Sequence, residues 1–258
     1  MPRSPFDDLA IGCAVVFGGS GGLGAEIARK FASVGSNVVF SYRRRAEQAE
    51  IVREEISALG VTGLCRRVEL SDLDSIDDIL FGAERECGSI HTLVFATGPS
   101  IRMVPIAELP PAEWASAVAA DVMGLFNVCH KAIPFLRRSK GSIVALSTAG
   151  TKRYPTLDVM SAGPKAAVEM LIKGVAREEG RNGIRANAVG VGQIEAGLSL
   201  ELMADPRFRR LAERVVSSTP LRRYGTAEEV ANVVLFLASS LAAFVSGEVI
   251  CVDGGGHI

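Results

Sequence analysis

The 258-residue sequence predicts an α/β fold, a single doubly wound domain (residues 1–258) in which a seven-stranded parallel sheet carries helices on both faces. Three observations predict it. Short β-branched apolar runs alternate with longer amphipathic stretches along the chain. The first run leads straight into the glycine-rich string Gly18-Gly19-Ser20-Gly21-Gly22-Leu23-Gly24. No linker, repeat or low-complexity tract interrupts the order, so a two-domain split has no obvious place to fall.

In chain order, strands are expected at Ile11–Phe17, Asn37–Ser41, Leu64–Leu70, Thr92–Ala96, Ser142–Ser147, Ile184–Val189 and Glu248–Val252. Between them the 3.6-residue period predicts helices over Leu23–Val34, Glu47–Leu59, Leu73–Glu86, Pro111–Leu136, Ser161–Glu179 and Ala227–Ser239, with Ser71 and Thr226 as polar caps. The stretch Glu195–Thr219, ending at Pro220, has a helical pattern with Asp205-Pro206 inside it, so it is not one straight helix. Lying beyond the C-terminal end of a strand, it is expected to be either a substrate lid or a structural excursion. Leu198, Leu200, Leu202 and Met203 give it an apolar character.

Composition excludes several classes. With 48% hydrophobic and 22% charged residues the chain has too much apolar surface for disorder. Its 28 basic and 29 acidic residues leave no positive field for a phosphate backbone, so nucleic acid is not expected as a partner. Cys13, Cys65, Cys87, Cys129 and Cys251 are odd in number and scattered, which suggests neither a disulfide framework nor a metal site. His91, His130 and His257 are equally dispersed and offer no metal set or triad. The start MPRSPFDDLA lacks the apolar core of a signal peptide, and no window is long and apolar enough to span a membrane, so a cytoplasmic protein is expected.

A glycine-rich turn between a strand and a helix lets the backbone approach a pyrophosphate, whose charge the free amides at the helix start then hold. Two registers fit: Gly19, Gly21 and Gly24 as GxGxxG, and Gly18, Gly22 and Gly24 as GxxxGxG. At the end of the second strand, where NAD sites commonly carry a carboxylate, stands Ser41, followed by Tyr42, Arg43, Arg44 and Arg45. Cations at a helix start oppose its dipole, and a 2′-phosphate would compensate them, so NADP(H) is favoured over NAD(H); a solvated turn is the alternative.

With these motifs in place, the chain resembles the short-chain dehydrogenase/reductase family from Ile11 to Gly255. That family uses the GxxxGxG register. Its C-terminal signature is visible in Pro220-Leu221-Arg222-Arg223-Tyr224-Gly225, then AEEVANVVLFLAS, Ser246-Gly247-Glu248 and Val252-Asp253-Gly254-Gly255. The resemblance implies a Rossmann-type fold and an NAD(P)(H) oxidoreductase acting on a carbonyl, alcohol or activated alkene. It implies cofactor contacts from Gly18, Ser20, Gly22, Leu23 and Gly24; from Tyr42, Arg43 and Arg44; from Glu69 and Leu70; from Ala96, Thr97 and Gly98; and from Lys165, Gly192 and Ile194. It also implies a homotetramer assembled through the long helices and the last strand.

In that family a Ser binds the substrate oxygen, a Tyr exchanges its proton, and a Lys holds the nicotinamide ribose and lowers the Tyr pKa. Ser147 and Lys165 match the first and last. The tyrosine is missing. Four residues before Lys165 stands Ser161, on the same helix face; seven before it, the spacing of some enoyl reductases in the family, stands Asp158. Tyr154, followed by Pro155, is the nearest phenol and is expected in a loop. Asp158 would exchange a proton only if burial raised its pKa, and a nearby Lys165 would push it down.

Other departures accompany this one. The family's NNAG reads Phe95-Ala96-Thr97-Gly98, its Asn seven residues after Trp114 is Asp121, and its Pro-Gly after the sixth strand is Val191-Gly192. Ala196 and Phe17 replace two threonines. Two functions follow as expectations: an NADP(H)-dependent oxidoreductase of an apolar or acyl small molecule with a non-standard proton donor, or a cofactor-binding protein with little turnover.

Overall fold

The computed structural model describes residues 5–197, 213–214 and 216–258. Seven strands form one all-parallel sheet: β1 (Cys13–Phe17), β2 (Asn37–Tyr42), β3 (Gly63–Arg67), β4 (Ile90–Phe95), β5 (Ser142–Thr148), β6 (Arg185–Val191) and β7 (Val249–Val252), in the order β3-β2-β1-β4-β5-β6-β7. The fold is the expected single Rossmann-type domain. Strand ends move by one to three residues: Ile11 is exposed and precedes β1, and the chain leaves the sheet after Arg67 rather than at Leu70.

Alternation along β1 builds the two faces. Ala14 and Val16 pack under α1 (Gly22–Ser33), α2 (Ala46–Ala58) and α7 (Ala227–Ala238). Cys13, Val15 and Phe17 pack on the other side under α3 (Leu73–Cys87), α5 (Gly124–Ser139) and α6 (Val159–Glu179). Thr226 caps α7 as expected, in a reciprocal box with Glu229. At α3 the cap is Asp72 rather than Ser71: its side chain accepts from the Asp74 amide, one residue nearer the first turn.

The helix expected as one piece over Pro111–Leu136 is three. α4 (Pro111–Val118) runs into a π-helical turn, Ala119–Met123, before α5 begins at Gly124. The wider turn carries Asp121, which is wholly buried. Such turns are rare and mark functional sites more often than chance. A 3.6-residue pattern cannot announce them. On α6, Trp114 of α4 lies against Gly163, where a Cβ would come within 2.5 Å of the indole ring.

Of the segment Glu195–Thr219, residues 198–212 and 215 lie outside the described residues, Leu198, Leu200, Leu202, Met203 and Asp205-Pro206 among them. Its first residues sit against the glycine loop, since a Cβ on Gly22 would lie 2.6 Å from the Gly197 nitrogen. No helix among the described residues is long and apolar enough to cross a membrane.

Candidate active site

The strand order reverses direction between β1 and β4, and a crevice opens there at the carboxyl ends of the strands. Gly18 leaves β1 with φ +89°, in the left-handed region, and lies against the Ala96 carbonyl at the end of β4. Gly24, in the first turn of α1, has no room for a side chain: a Cβ would stand 2.2 Å from the Gly18 carbonyl oxygen. A Cβ on Gly22 would be excluded as well, whereas one on Gly21 would make an ordinary contact, so the packing favours the GxxxGxG register. α1 starts at Gly22, just after Ser20 and with Leu23 in its first turn; it has no side-chain cap, and the first amides of a helix have no intrahelical partner. This cradle fits a pyrophosphate.

Ser41 is buried, and its hydroxyl accepts the Gly18 amide at 3.0 Å, bracing the loop from within. Tyr42 is half-buried against the core, whereas Arg43 and Arg44 are exposed in the bend before α2, and among the described residues no partner engages their side chains. Glu69 and Leu70 follow β3 in a turn closed by Ser75; the Leu70 carbonyl accepts from Asn127 at 2.9 Å. Gly98 is exposed at the rim of the crevice. The Gly192 amide donates to the Val252 carbonyl. The side chain of Ile194 is buried in the core, which leaves its main chain available to a ligand.

Lys165 lies in the second turn of α6, 8% exposed. Its Nζ donates to Asp121 Oδ1 at 3.0 Å and to the Thr97 carbonyl at 3.1 Å, with the Phe95 ring 5.8 Å away. Burial raises the Asp121 pKa, and Lys165 opposes that rise. Two polar atoms here, Thr97 Oγ1 and Asp121 Oδ2, are buried without a hydrogen-bond partner. Buried orphans are rare in native proteins, and beside an ammonium they suit a ligand rich in hydroxyls, such as the ribose of a nicotinamide nucleotide.

Ser147, near the end of β5, donates to Glu169 Oε1 at 2.6 Å, and Thr151 reaches the same oxygen at 2.7 Å. Glu169 is 7% exposed. Sequence reasoning missed it. The signal was available: four residues after Lys165 it shares that residue's helix face, and an acid inside the apolar run KAAVEMLI needs a buried partner.

Asp158 stands at the start of α6. Burial pushes its carboxyl up to about 6, and a hydrogen bond from the Ser161 side chain acts against that. The expected depression by Lys165 does not occur; burial and Ser161 set the Asp158 carboxyl, and Lys165 bonds Asp121. Ser161 is the third residue of α6, its amide bonded to the Asp158 carbonyl. Tyr154 lies in the loop before α6, 54% exposed. Burial also drives His91 down to about 4; it bonds Ser36 and Thr92 at the start of β4, the end of the strand away from the crevice.

A phosphate cradle joined to a buried Ser and Lys at the switch point defines a Rossmann-type oxidoreductase. A family model described as Enoyl-(Acyl carrier protein) reductase matches residues 18–257. The chain is 34% identical over 244 residues to the 3-oxoacyl-(acyl-carrier-protein) reductase FabG of Staphylococcus aureus, covering 94% of this chain and 96% of that one. It is 32% identical over 252 residues to 3beta-hydroxysteroid dehydrogenase 1 of Eggerthella lenta, covering 97% and 95%. Among solved structures, a short-chain dehydrogenase from Burkholderia cenocepacia in complex with NADP superposes with a TM-score of 0.87 at 25% identity, covering 96% and 98%. The chain belongs to the short-chain dehydrogenase/reductase family.

Proposed function

We propose that the protein is an NADP(H)-dependent oxidoreductase that exchanges a hydride with a carbonyl or alcohol carbon, or an activated alkene, using a carboxyl group where the family uses a phenol. The observation that carries this is the pairing of the two retained residues, Ser147 and Lys165, each with a buried carboxylate, beside an intact cradle. The bound nucleotide supplies or accepts the hydride. The glycine loop and the start of α1 hold its pyrophosphate, Lys165 with Asp121 and Thr97 its nicotinamide ribose, and Arg43 and Arg44 its 2′-phosphate. Ser147 holds the substrate oxygen. Asp158, able to carry a proton near neutral pH, is one candidate for the acid–base group; Tyr154 is chemically suited but half-exposed in its loop. The relatives named for 3-oxoacyl groups and hydroxysteroids make apolar carbonyl compounds the first to test.

NADPH consumption over a panel of ketones, 3-oxoacyl and enoyl thioesters, and hydroxysteroids run in reverse tests this. A second function is favoured by the engagement of Lys165 with Asp121: a cofactor-binding protein without turnover. Tight NADPH binding with no turnover on any member of the panel selects it. NADPH should raise the melting temperature more than NADH does, and Arg43→Ala with Arg44→Ala should remove the difference; equal stabilisation of the parent by both nucleotides sinks the 2′-phosphate site.

Assembly follows the same logic. Met123 and Phe126, three residues apart, and Met170 on α6 expose more than half of their surface, an apolar area suited to a second copy of this chain. Phe126→Glu should lower the assembled mass in light scattering; an unchanged mass removes this face from the interface.

A further inference from the structure

We propose that the proton of this reaction passes between the substrate and Glu169 through the hydroxyl of Ser147, so that Ser147 faces the substrate as a hydrogen-bond acceptor and the substrate in the oxidising direction is an alcohol. The inference rests on the oxidoreductase function above and names its acid–base group. A serine hydroxyl carries one proton. Here that proton is directed at Glu169 Oε1, 2.6 Å away, and what Ser147 has left for a substrate is its lone pairs. A carbonyl oxygen would oppose them; an alcohol O–H satisfies them. When Glu169 holds the proton instead, it donates to Ser147, and Ser147 can donate to a carbonyl. The chain of atoms is complete in both directions.

Among the described residues no other side chain bonds the Ser147 hydroxyl. Lys165 is held by Asp121 and the Thr97 carbonyl. Among the described residues Asp158 shares no hydrogen bond with Ser147 or Lys165; its partners are within its own helix start. Thr151 has two acceptors for its one proton, Glu169 Oε1 and the Thr148 carbonyl at 3.0 Å, so it can steady the carboxylate without closing it off. Among the described residues Lys165 lies one turn before Glu169 on its own helix, and Cys251 of β7 feels the charge of Glu169 together with those of Lys152 and Asp253. Burial first, and then Asp253 and Glu169, raise the Cys251 thiol, whereas Lys152 lowers it.

In oxidation the alcohol O–H bond breaks as its proton bonds to Ser147 Oγ and the proton of Ser147 passes to Glu169. The carbinol C–H bond breaks with its electron pair going to the oxidised nicotinamide, and the C=O bond forms. Reduction is the reverse. Glu169 acts through Ser147 and touches no reacting atom itself.

The test uses the NADP(H)-loaded protein with the best carbonyl–alcohol pair from the panel. Glu169→Gln keeps the shape and hydrogen-bonding capacity of the side chain, and should lower kcat by about 10²–10³-fold, with KM and the NADPH dissociation constant changed by less than about twofold. Its pH–rate profile should lose the limb that reports the base. Ser147→Ala should cost as much, and the double variant no more than either single one, since each breaks the same relay. On the unaltered protein, rates in mixed light and heavy water should bow as for two protons moving together. A kcat for Glu169→Gln within about threefold of the parent, multiplicative losses in the double variant, or a linear one-proton isotope dependence overturns the relay. Failure of the parent protein to bind NADPH, or to turn over any member of the panel, overturns the underlying function instead. Should Glu169→Gln not fold, the isotope dependence alone decides.

Discussion

Asp121→Ala is expected to lower the stability of the protein by about 3–5 kcal/mol, the cost of leaving a buried cation without its counter-ion. Asp121 is wholly buried, and its Oδ1 is 3.0 Å from the ammonium of Lys165, itself 8% exposed. After the substitution Lys165 retains one uncharged acceptor, the Thr97 carbonyl. The change should appear as a lower midpoint in chemical denaturation. Asp121→Asn, which restores the residue the family carries there, keeps an acceptor and should cost much less. A loss of under about 1 kcal/mol for Asp121→Ala would mean that water reaches Lys165, which its burial argues against.

Asp158→Asn should act in the opposite direction and depend on pH. Burial raises this carboxyl from an ordinary 3.8 to about 6, so between those values the folded chain binds the proton more tightly than the unfolded one. The contribution of Asp158 to stability is therefore fully present below the lower value and is lost as the pH rises through the upper one. At about 1.4 kcal/mol per unit the loss is on the order of 2–3 kcal/mol. The Asn variant, which has no charge to bury, should melt at a higher temperature than the parent well above pH 6 and show no such advantage in acid, below the ordinary value. If the proposed relay through Ser147 and Glu169 carries the proton, its turnover should stay within about threefold. A collapse of turnover with NADPH binding intact would make Asp158 the proton donor and displace Glu169 from that role.

The two substitutions bear on how the site departs from its family. Asp121 and Ser161 stand at the positions where the sequence resemblance implies an Asn and a Tyr. The new carboxylate is paired in place with Lys165, while Ser147 bonds a different carboxylate, Glu169.

Much of this was legible in the residues. Alternation of apolar runs fixed the number and direction of the strands, because a parallel strand is buried on both faces and each needs a covering helix. The glycine spacing fixed the loop: steric exclusion at Gly24 acts over a few residues and leaves its trace in composition. The identities at Ser147, Lys165, Asp158 and Asp121, and the absence of a tyrosine near Lys165, were equally plain. What the order of residues could not contain was which of these groups meet. Asp121 and Lys165 are 44 residues apart, Ser147 and Glu169 22, and each pair forms only when a π-helical turn or a strand end is packed against α6. Proton affinity depends on burial and on partners, and both are properties of the assembled chain. The sequence by itself therefore determined the scaffold and the inventory of chemical groups, and the tertiary structure decided which carboxylate holds the lysine and which holds the serine.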